Sequence, residues 1–387
     1  MADEPDNDEL AAIRYRPLPV LRAMIDAVDR DVLQALARRN ALVAEVAQYK
    51  RAAGIPVRDD AREAELLSDR CQRASKLGLS SELVESLYRL VLWGSRDRQA
   101  SLLAQVPLTD EPKKIAIIGG QGAMGACMAT LFSDLGHVVM IADRDTPLGS
   151  REAVEHADVV VISVPIVDTV DVIRELGPYV QDHALLTDVT SVKQAPVEAM
   201  LESTSASVVG THPLFGPSVH SLQGQRVVMC PGRGQAWHDW LQAVFEARGL
   251  WVMDATAQAH DEAMAVVQVL VHFATEVLGS TLADLGTSIE ETLAFTSPIY
   301  LIELSMAARH FAQSPDLYAS IQFSNPATRR VTDAFVAAAQ RQRDAVAGRD
   351  REAIRAVFER VSDMFGPFTA RAMQQTSFLI DRIVERG

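Results

Sequence analysis

The chain has 387 residues, 48% hydrophobic and 23% charged, which is more than one ordinary hydrophobic core needs and predicts two or three domains. A formal net charge of −14 excludes a general nucleic-acid binder and a protein that binds anionic membrane surfaces, because both need a concentrated basic face.

Residues 1–19 begin with an acidic, polar stretch and predict a disordered lead-in rather than a secretion signal. No run of apolar residues long enough for a membrane span follows it. The cysteines, Cys71, Cys127 and Cys230, lie far apart and form no CxxC pair, so neither disulfides nor a metal site is expected. These features together predict a cytoplasmic protein.

Residues 20–104 form the first predicted domain, an all-α unit of three helices. Apolar residues at helical spacing predict one long amphipathic helix to about residue 53. Turn residues near positions 54 and 80 separate it from two shorter helices, which end near 76 and 103. Because two shorter helices cannot cover the apolar face of the long one, we expect an intertwined helical homodimer.

Eight polar residues interrupt the apolar pattern of this domain: Arg22, Arg39, Lys50, Asp59, Arg62, Glu63, Ser95 and Gln99. On a helix, the separation of Arg39 from Lys50 brings the two side chains to within roughly 20° of each other. Arg22 lies roughly 100° away from Arg39, so we expect it to serve a pocket of a second copy. Cations turned inward in a helix bundle indicate an anionic ligand, although a solvated charged face is the structural alternative.

The order and spacing of these residues resemble the active site of the all-helical chorismate mutases over residues 20–104. The resemblance implies isomerisation of chorismate to prephenate by restraint and electrostatics, without a covalent intermediate. By the same resemblance, Arg39 and Arg22 from a second copy would hold the two carboxylates of the substrate. Lys50 and Gln99 would face the ether oxygen, where negative charge develops.

The other four members of the set also receive roles from this resemblance. Glu63, together with Asp59, would bind the ring hydroxyl of the substrate. Arg62 and Ser95 would orient and complete the pocket, or each could instead pair helices structurally.

Residues 105–113 form a predicted linker, after which the pattern changes. From 114 to 255, short apolar runs alternate with helical spacers and predict an α/β Rossmann-type domain with a doubly wound parallel sheet. The predicted strands are 114–118, 137–142, 158–164, 184–188, 207–210, 226–230 and 251–253. Residues 256–387 lack strand patterns and predict an all-α substrate and dimerisation domain.

The first predicted strand runs directly into a glycine-rich turn with GxGxxG spacing. The cofactor-binding candidates are Gly119, Gly120, Gln121, Gly122, Ala123, Met124, Gly125, Asp143, Ser163, Val164 and Pro165. Such a turn between a strand and a helix is typical of dinucleotide sites, because backbone amides and the helix N-terminus hold the pyrophosphate. Asp143 favours the free ribose of NAD, whereas the adjacent Arg144 would accommodate the additional phosphate of NADP.

Two other predicted strand ends carry side chains suited to acid–base chemistry. Ser191 belongs to Ser191-Val192-Lys193, and His212 lies in a loop bounded by Gly210 and Pro217. A histidine held rigidly at the carboxyl end of a strand is well placed for proton transfer near neutral pH. A histidine that only stabilises the turn is the structural alternative.

Together with Ser297-Pro298-Ile299-Tyr300, these motifs make residues 114–380 resemble the prephenate dehydrogenases. The whole chain resembles the bifunctional chorismate mutase/prephenate dehydrogenases. The resemblance implies oxidative decarboxylation of prephenate to 4-hydroxyphenylpyruvate with NAD, which is a step of tyrosine biosynthesis.

The dehydrogenase resemblance also implies roles for five side chains. His212 would accept the proton of the ring hydroxyl, and Ser191 would hydrogen-bond the same region and fix the histidine. Arg309 would pair with a carboxylate of the substrate. Gln268 and His272 would lie at the substrate end of the site, where a tyrosine effector would compete.

Three alternatives remain open on the sequence. The helical domain could be a non-catalytic regulatory or dimerisation module beside a monofunctional dehydrogenase. The dehydrogenase could use arogenate, the amino counterpart of prephenate, although fusion to an enzyme that makes prephenate favours prephenate. A β-hydroxyacid dehydrogenase shares the domain plan, but it relies on a lysine in the first helix of the last domain, and residues 261–285 contain none.

Overall fold

The computed structural model describes residues 16–53, 59–104, 111–219 and 221–384. Its first unit consists of three helices, α1 (Leu18–Ala52), α2 (Asp60–Lys76) and α3 (Ser81–Ala104). Of the predicted lead-in, residues 1–15 lie outside the described residues, and residues 18 and 19 already belong to α1. The turn at 54–58 and most of the predicted linker, residues 105–110, also lie outside them.

Helix α1 leaves most of its apolar side chains uncovered within one chain. Helix α3 packs against both α1 and α2, yet Val43 and Ala47 are the only described apolar side chains of α1 that are buried. The exposed ones include Leu18, Leu21, Met24, Ile25, Val28, Val32, Leu33, Leu36, Leu42 and Val46. A continuous apolar surface of this kind marks a protein interface, as the expected helical dimer requires.

The second unit contains one seven-stranded sheet in the order β2-β1-β3-β4-β5-β6-β7. The strands are β1 (Lys114–Ile118), β2 (Val138–Ala142), β3 (Val159–Ile162), β4 (Leu185–Asp188), β5 (Ser207–Pro213), β6 (Arg226–Arg233) and β7 (Trp251–Asp254). The sheet differs from the predicted one at a single pair, because β5 and β6 are antiparallel. A parallel pair needs a crossover connection, and the described part of segment 214–225 contains no helix to provide one.

Helices cover both faces of this sheet, which confirms the Rossmann-type fold. They are α4 (Ala123–Asp134), α5 (Ser150–Glu155), α6 (Ile166–Leu176), α7 (Gln194–Ser203) and α8 (Gln235–Ala247). Val160 and Leu186 belong to one hydrophobic core, and Val161 and Leu185 to the other. Strands buried on both sides explain the continuous apolar runs in the sequence. The order β2-β1-β3 places the topological switch point between β1 and β3, where such folds bind ligands.

The third unit is helical and opens with one continuous helix in three parts. These are α9 (Ala257–Met264), a π-helical turn (Ala265–Leu270) and α10 (Val271–Leu285). The helices that follow are α11 (Ile289–Ala294), α12 (Pro298–Phe311), α13 (Pro315–Ser324), α14 (Thr328–Ala347), α15 (Arg351–Phe365) and α16 (Phe368–Val384). The sequence pattern predicted neither the π-helical turn nor the two short helices α11 and α13.

The helix Ala257–Leu285 is also the one helix in the described part of the chain that is long and apolar enough to cross a membrane. Its polar side chains nevertheless bind other elements of the globular fold: Asp261 accepts the backbone N–H of Lys193 at 2.7 Å, and Gln268 contacts His212. A single helix of this composition is a weak sign of a membrane span, and these contacts make it part of the globular fold.

Candidate active sites

Arg39, Ser95 and Gln99 come together between α1 and α3. The Arg39 guanidinium donates a hydrogen bond to Ser95 Oγ, and Gln99 Nε2 donates to the Ser95 carbonyl at 3.3 Å. Gln99 Oε1 is buried and has no hydrogen-bond partner among the described residues. This amide oxygen can accept a hydrogen bond from a ligand, and the Nε2 group has a second N–H beside the one that it gives to the Ser95 carbonyl.

Arg39 carries its charge in partly dehydrated surroundings. Burial lowers the pKa of its guanidinium below the ordinary value, while Tyr88 opposes this shift and Arg70 adds to it. Arg70 lies over the Tyr88 ring, with its Cζ 5.7 Å from the ring centroid. Two arginines near one half-buried position favour an anion there. Arg70 was not among the predicted residues, although it follows Glu63 by two helical turns and so shares its face.

The structure gives other partners to the predicted residues on α2. Glu63 forms a half-buried salt bridge with Arg96 at 2.5 Å. Arg62 pairs with Glu65 at 2.6 Å on the surface, and Asp59 Oδ1 accepts the backbone N–H of Arg62 at 2.9 Å as the N-cap of α2. Within one chain, Asp59 and Arg62 therefore stabilise the start of α2 and lie outside the Arg39 cluster, which agrees with the structural alternative for Arg62.

The two other predicted cations lie on α1. Lys50 is half-buried near the end of the helix, and Arg22 is exposed near its start. The rise of an α-helix places Arg22 roughly 25 Å from Arg39 along the axis. Arg22 therefore cannot share a pocket with Arg39 of the same chain.

The glycine turn after β1 has a geometry that only glycine permits. Gly119 has a φ of +82°, and a Cβ there would lie 2.3 Å from the carbonyl oxygen of Ser163. At Gly125, a Cβ would lie 2.5 Å from the carbonyl oxygen of Gly119. The backbone thus comes close to β3 and to the first turn of α4. Gly122, the N-cap of α4, has no side chain that could cap the first turn of the helix. The backbone amides of that turn are therefore available to an anion.

A cavity of about 620 Å³ opens beside this turn. Its lining includes the predicted residues Gly119, Gln121, Gly122, Asp143, Ser163, Val164 and Pro165. Asp143 Oδ2 accepts the backbone N–H of Gln121 at 3.0 Å, so the acid is held at the turn. Arg144 pairs with Asp168 at 3.7 Å. The other predicted residues shape the turn: Gly120 packs closely against Ile141, Ala123 begins α4, and Met124 packs against the core.

His212 lies in β5 and is buried, with 3% of its surface exposed. Its Nδ1 is 2.8 Å from His260 Nε2, and its Nε2 is 3.4 Å from Gln268 Nε2. Burial, together with His260 and Lys193, holds the pKa of His212 well below its ordinary value. The imidazole is therefore neutral at pH 7 and can accept a proton. Ser191 was expected from the sequence to fix this ring, but in the described structure His260 has that position.

Asp261 anchors the other side of His260. Its Oδ1 is 2.8 Å from His260 Nδ1, and its two oxygens accept the backbone N–H groups of Lys193 at 2.7 Å and Gln194 at 3.0 Å. Burial opposes ionisation of this carboxyl, but these hydrogen bonds lower its pKa below the ordinary value. Asp261 is therefore an acceptor of three hydrogen bonds at neutral pH. The signal for this pair was the dipeptide His260-Asp261 at the start of a predicted helix.

Lys193 joins the strand ends on the other side of His212. It is fully buried, donates to the Asp188 carboxylate and donates to the Thr211 carbonyl at 2.7 Å. Asp188 is also fully buried and accepts the backbone N–H of Thr190 at 3.0 Å. Sequence reasoning named Lys193 only as part of a motif and missed this ion pair, which holds the carboxyl ends of β4 and β5 together.

His272 belongs to a ring cluster one turn beyond Gln268. Its ring centroid is 4.7 Å from that of Tyr318 and 5.4 Å from that of His310, and burial lowers its pKa. His310 Nε2 lies 3.1 Å from Glu276 Oε1. Arg309 is exposed at the same end of α12 and acts electrostatically on Tyr318. Gln268 thus contacts His212, while His272 and Arg309 lie farther along the third unit.

The fold and the two side-chain clusters define an enzyme of three units: a helical domain with a half-buried arginine, a nucleotide-binding domain with a buried neutral histidine, and a second helical domain. Residues 21–100 match the family model of chorismate mutase type II. Residues 137–253 match the nucleotide-binding domain of prephenate dehydrogenase, and residues 256–360 match its dimerization domain. The glycine turn precedes the matched range, so its assignment depends on the geometry described above.

Two relatives extend over nearly the whole chain. The T-protein of Enterobacter agglomerans is 35% identical and aligns with 94% of this chain and 97% of its own length. The T-protein of Haemophilus influenzae is 32% identical, with coverages of 94% and 96%. The chain belongs to the T-protein family, the bifunctional chorismate mutase/prephenate dehydrogenases. The resemblance inferred from the sequence motifs is thereby confirmed, together with both enzymatic activities.

A solved structure supports the fold of the last two units. The prephenate dehydrogenase of Aquifex aeolicus, in complex with hydroxyphenyl propionate and NAD+, has a TM-score of 0.54 to this chain. It is 20% identical and aligns with 66% of this chain and 99% of its own length. At this identity the similarity shows a common fold, in agreement with the predicted Rossmann-type and helical domains.

Proposed function

We propose that the first, N-terminal helical unit isomerises chorismate to prephenate. The second and third units together form the dehydrogenase unit, which converts prephenate to 4-hydroxyphenylpyruvate with NAD. These are consecutive steps of tyrosine biosynthesis. The observation that carries the proposal is a neutral, buried His212 in the same chain as the Arg39, Ser95 and Gln99 cluster. The family matches to both units support the same pair of reactions.

In the mutase unit, the residues act on charge and conformation. Arg39 holds one substrate carboxylate, since its partly buried guanidinium gains a counter-ion there. Lys50 and Gln99 donate to the ether oxygen as its bond to carbon breaks and negative charge grows. Ser95 orients Arg39 through their hydrogen bond. Restraint of the substrate in the reactive conformation supplies the rest of the rate enhancement.

The mutase pocket is completed by a second copy of the chain. The apolar side chains exposed along α1 need a partner, and the match to a dimerization domain at residues 256–360 indicates a homodimer. A second α1 packed antiparallel to the first would bring its Arg22 toward the Arg39 pocket. This Arg22 then holds the other carboxylate. Glu63, with Asp59 at the N-cap of α2, takes the ring hydroxyl, and Arg62 orients this side of the pocket.

In the dehydrogenase unit, the nicotinamide of NAD, when bound, supplies the hydride acceptor. The cavity beside residues 119–125 fits the nucleotide, and Asp143 receives the ribose hydroxyls. His212 Nε2 accepts the proton of the ring hydroxyl as hydride leaves the same carbon. The ring carboxylate then departs as CO2, and its bonding electrons pass through the ring to the carbonyl oxygen. That oxygen takes the proton back from His212, which gives the aromatic phenol. Ser191 hydrogen-bonds the hydroxyl region of the substrate.

Side chains of the third, C-terminal helical unit hold the rest of prephenate. Gln268 contacts His212 and reaches the hydroxyl end of the substrate. Arg309 pairs with a substrate carboxylate, and His272 lies beside it in the ring cluster with Tyr318. A tyrosine effector would share the ring and carboxylate chemistry of the product, so we infer that it competes at this end of the site. We assign the protein to a reducing compartment, the cytoplasm, because its three cysteines are all free.

The proposal is tested by supplying purified protein with chorismate and NAD+ and following NADH, with a parallel reaction started from prephenate. NADH from both substrates is the expected result. NADH from prephenate alone would reduce the helical unit to a regulatory or dimerisation module. A parallel reaction with NADP+ tests the choice of NAD, which the pairing of Arg144 with Asp168 supports. A parallel reaction with arogenate tests the choice of prephenate.

A further inference from the structure

We propose that His260 and Asp261 are positioning residues that hold His212 in the tautomer with its proton on Nδ1. In that tautomer Nε2 carries a lone pair and faces Gln268 and the substrate. This proposal rests on the function proposed above for the dehydrogenase unit, in which His212 is the base.

The tautomer follows from a chain of donors and acceptors. An ionised carboxylate can only accept hydrogen bonds, so the 2.8 Å contact between Asp261 Oδ1 and His260 Nδ1 places a proton on His260 Nδ1. We infer that this is the single ring proton of His260, so its other nitrogen, Nε2, is an acceptor. It lies 2.8 Å from His212 Nδ1, which must therefore donate. His212 Nε2 is left without a proton, as a base requires.

The anchoring of this pair makes the arrangement rigid. His260 and Asp261 side chains are 0% and 1% exposed. The Asp261 carboxylate is held by two backbone N–H groups at the start of α7, and its backbone carbonyl accepts a hydrogen bond from Asn325 Nδ2 at 2.8 Å. The carboxylate therefore cannot rotate away from His260 without losing its bonds to the start of α7. His260 therefore orients His212 as the aspartate of a catalytic triad orients its histidine, and Asp261 holds His260 in place.

Gln268 agrees with the same tautomer from the other side. Its Nε2 lies 3.4 Å from His212 Nε2, so the amide N–H points at the lone pair rather than at a second donor. Its Oε1 is buried without a partner among the described residues, and it can accept a hydrogen bond from a substrate hydroxyl. The charged groups that face this assembly are Lys193, Asp188 and Asp261.

The kinetic test compares His260→Leu with His260→Gln. Leu removes the acceptor for His212 Nδ1–H in a similar volume, and we expect kcat with prephenate to fall about 10²- to 10⁴-fold, as for loss of an orienting residue. Gln can accept the same hydrogen bond and should restore kcat to within about tenfold of the native value. KM for prephenate should change little in both. Chorismate mutase activity should be unchanged and serves as the folding control.

The tautomer itself is read by NMR of protein labelled with 15N-histidine, with His212→Asn to assign the resonances. The expected His212 spectrum has a protonated Nδ1 and an unprotonated Nε2. A protonated Nε2, or a His260→Leu protein that folds and keeps native kcat, would overturn the proposal. If His260→Leu does not fold, the NMR result on the native chain decides. If native protein gives no NADH from prephenate, the proposed function fails, yet the tautomer is still measured.

Discussion

The burial of His212 has a consequence for stability as well as for catalysis. Its pKa in the folded protein lies well below the ordinary value because burial, His260 and Lys193 disfavour the imidazolium. In the unfolded chain the imidazole takes up a proton below about pH 6.5, and in the folded chain it does not. We therefore expect the free energy of unfolding to decrease as pH falls below that value.

This prediction is checked by urea denaturation of native protein and His212→Asn across pH 5 to 8. Asn does not titrate, so the variant should show a shallower loss of stability on the acid side. Equal pH slopes for the two proteins would mean that His212 titrates normally in the fold.

Gly119 allows a second residue-scale prediction. Alanine there needs a φ of +82° and also brings its Cβ to 2.3 Å from the Ser163 carbonyl oxygen. Gly78 is a matched control, since it has a φ of +72° and a Cβ at that position would meet nothing within 4 Å. Gly78→Ala should cost about 1–2 kcal/mol of stability and leave NAD binding intact.

Gly119→Ala should be destabilised more than Gly78→Ala and should lose NAD binding, because β3 and the turn must separate. Isothermal titration calorimetry with NAD and thermal unfolding give the two readouts. Native affinity for NAD in Gly119→Ala would show that the turn does not hold the cofactor.

The residues that sequence could identify are those whose signal is local. Gly119 lies in a turn with recognisable spacing, and His212 lies in a motif bounded by glycine and proline, which the structure shows to be the end of β5 and not a loop. The partner of His212 could not be identified in this way, because His260 is distant in sequence and reaches it only through the packing of the third unit against β5. Ser191 was assigned that role from resemblance, whereas the hydrogen bond to His212 Nδ1 comes from His260 instead.

At the scale of elements, the Lys193 and Asp188 pair joins the ends of β4 and β5. Both side chains are fully buried, so removal of one charge leaves the other without compensation. We expect Lys193→Met to lose about 3–5 kcal/mol of stability. The double variant Lys193→Met/Asp188→Asn should recover part of this loss, because the isolated carboxylate is gone.

Urea denaturation measures both variants, with Lys114→Met on the exposed start of β1 as the control for loss of a lysine. Lys114→Met should lie within about 0.5 kcal/mol of the native chain. A Lys193→Met protein that is equally stable would contradict a stabilising role for the ion pair.

The element boundaries follow the same division between local and tertiary signals. The helices of the first unit and all seven strands were predicted, because their apolar residues recur at helical spacing or form short continuous runs. The antiparallel β5–β6 pair and the π-helical turn were not predicted, since strand direction depends on the connection and the π-helical turn has no distinct apolar spacing in the sequence. π-Helical turns occur often at functional sites.

At the scale of the whole molecule, a dimer that shares its mutase pockets can be tested by complementation. Arg22→Ala and Lys50→Ala are each expected to abolish mutase activity. In a mixed dimer, one pocket would receive native Arg22 from one chain and native Lys50 from the other, while the second pocket would carry both changes. Random mixing should therefore restore about a quarter of the native activity.

The two chains are co-expressed without selection, and light scattering confirms the dimer. Mixed dimers isolated through a different affinity tag on each chain should show about half of the native activity, because one of their two pockets is native. Arg39→Ala mixed with Lys50→Ala is the matched control, because both residues belong to the same chain's pocket and no native site can form. Restoration in the control, or none in the Arg22 mixture, would contradict a shared pocket.

We propose that the two consecutive reactions occur at separate active sites on one chain. The most direct measurement assays Lys50→Ala and His212→Asn, each from chorismate and from prephenate with NAD+. We predict that Lys50→Ala forms NADH from prephenate but not from chorismate, and that His212→Asn converts chorismate to prephenate without NADH. Parallel loss of both activities in either folded variant would contradict the presence of two independent sites.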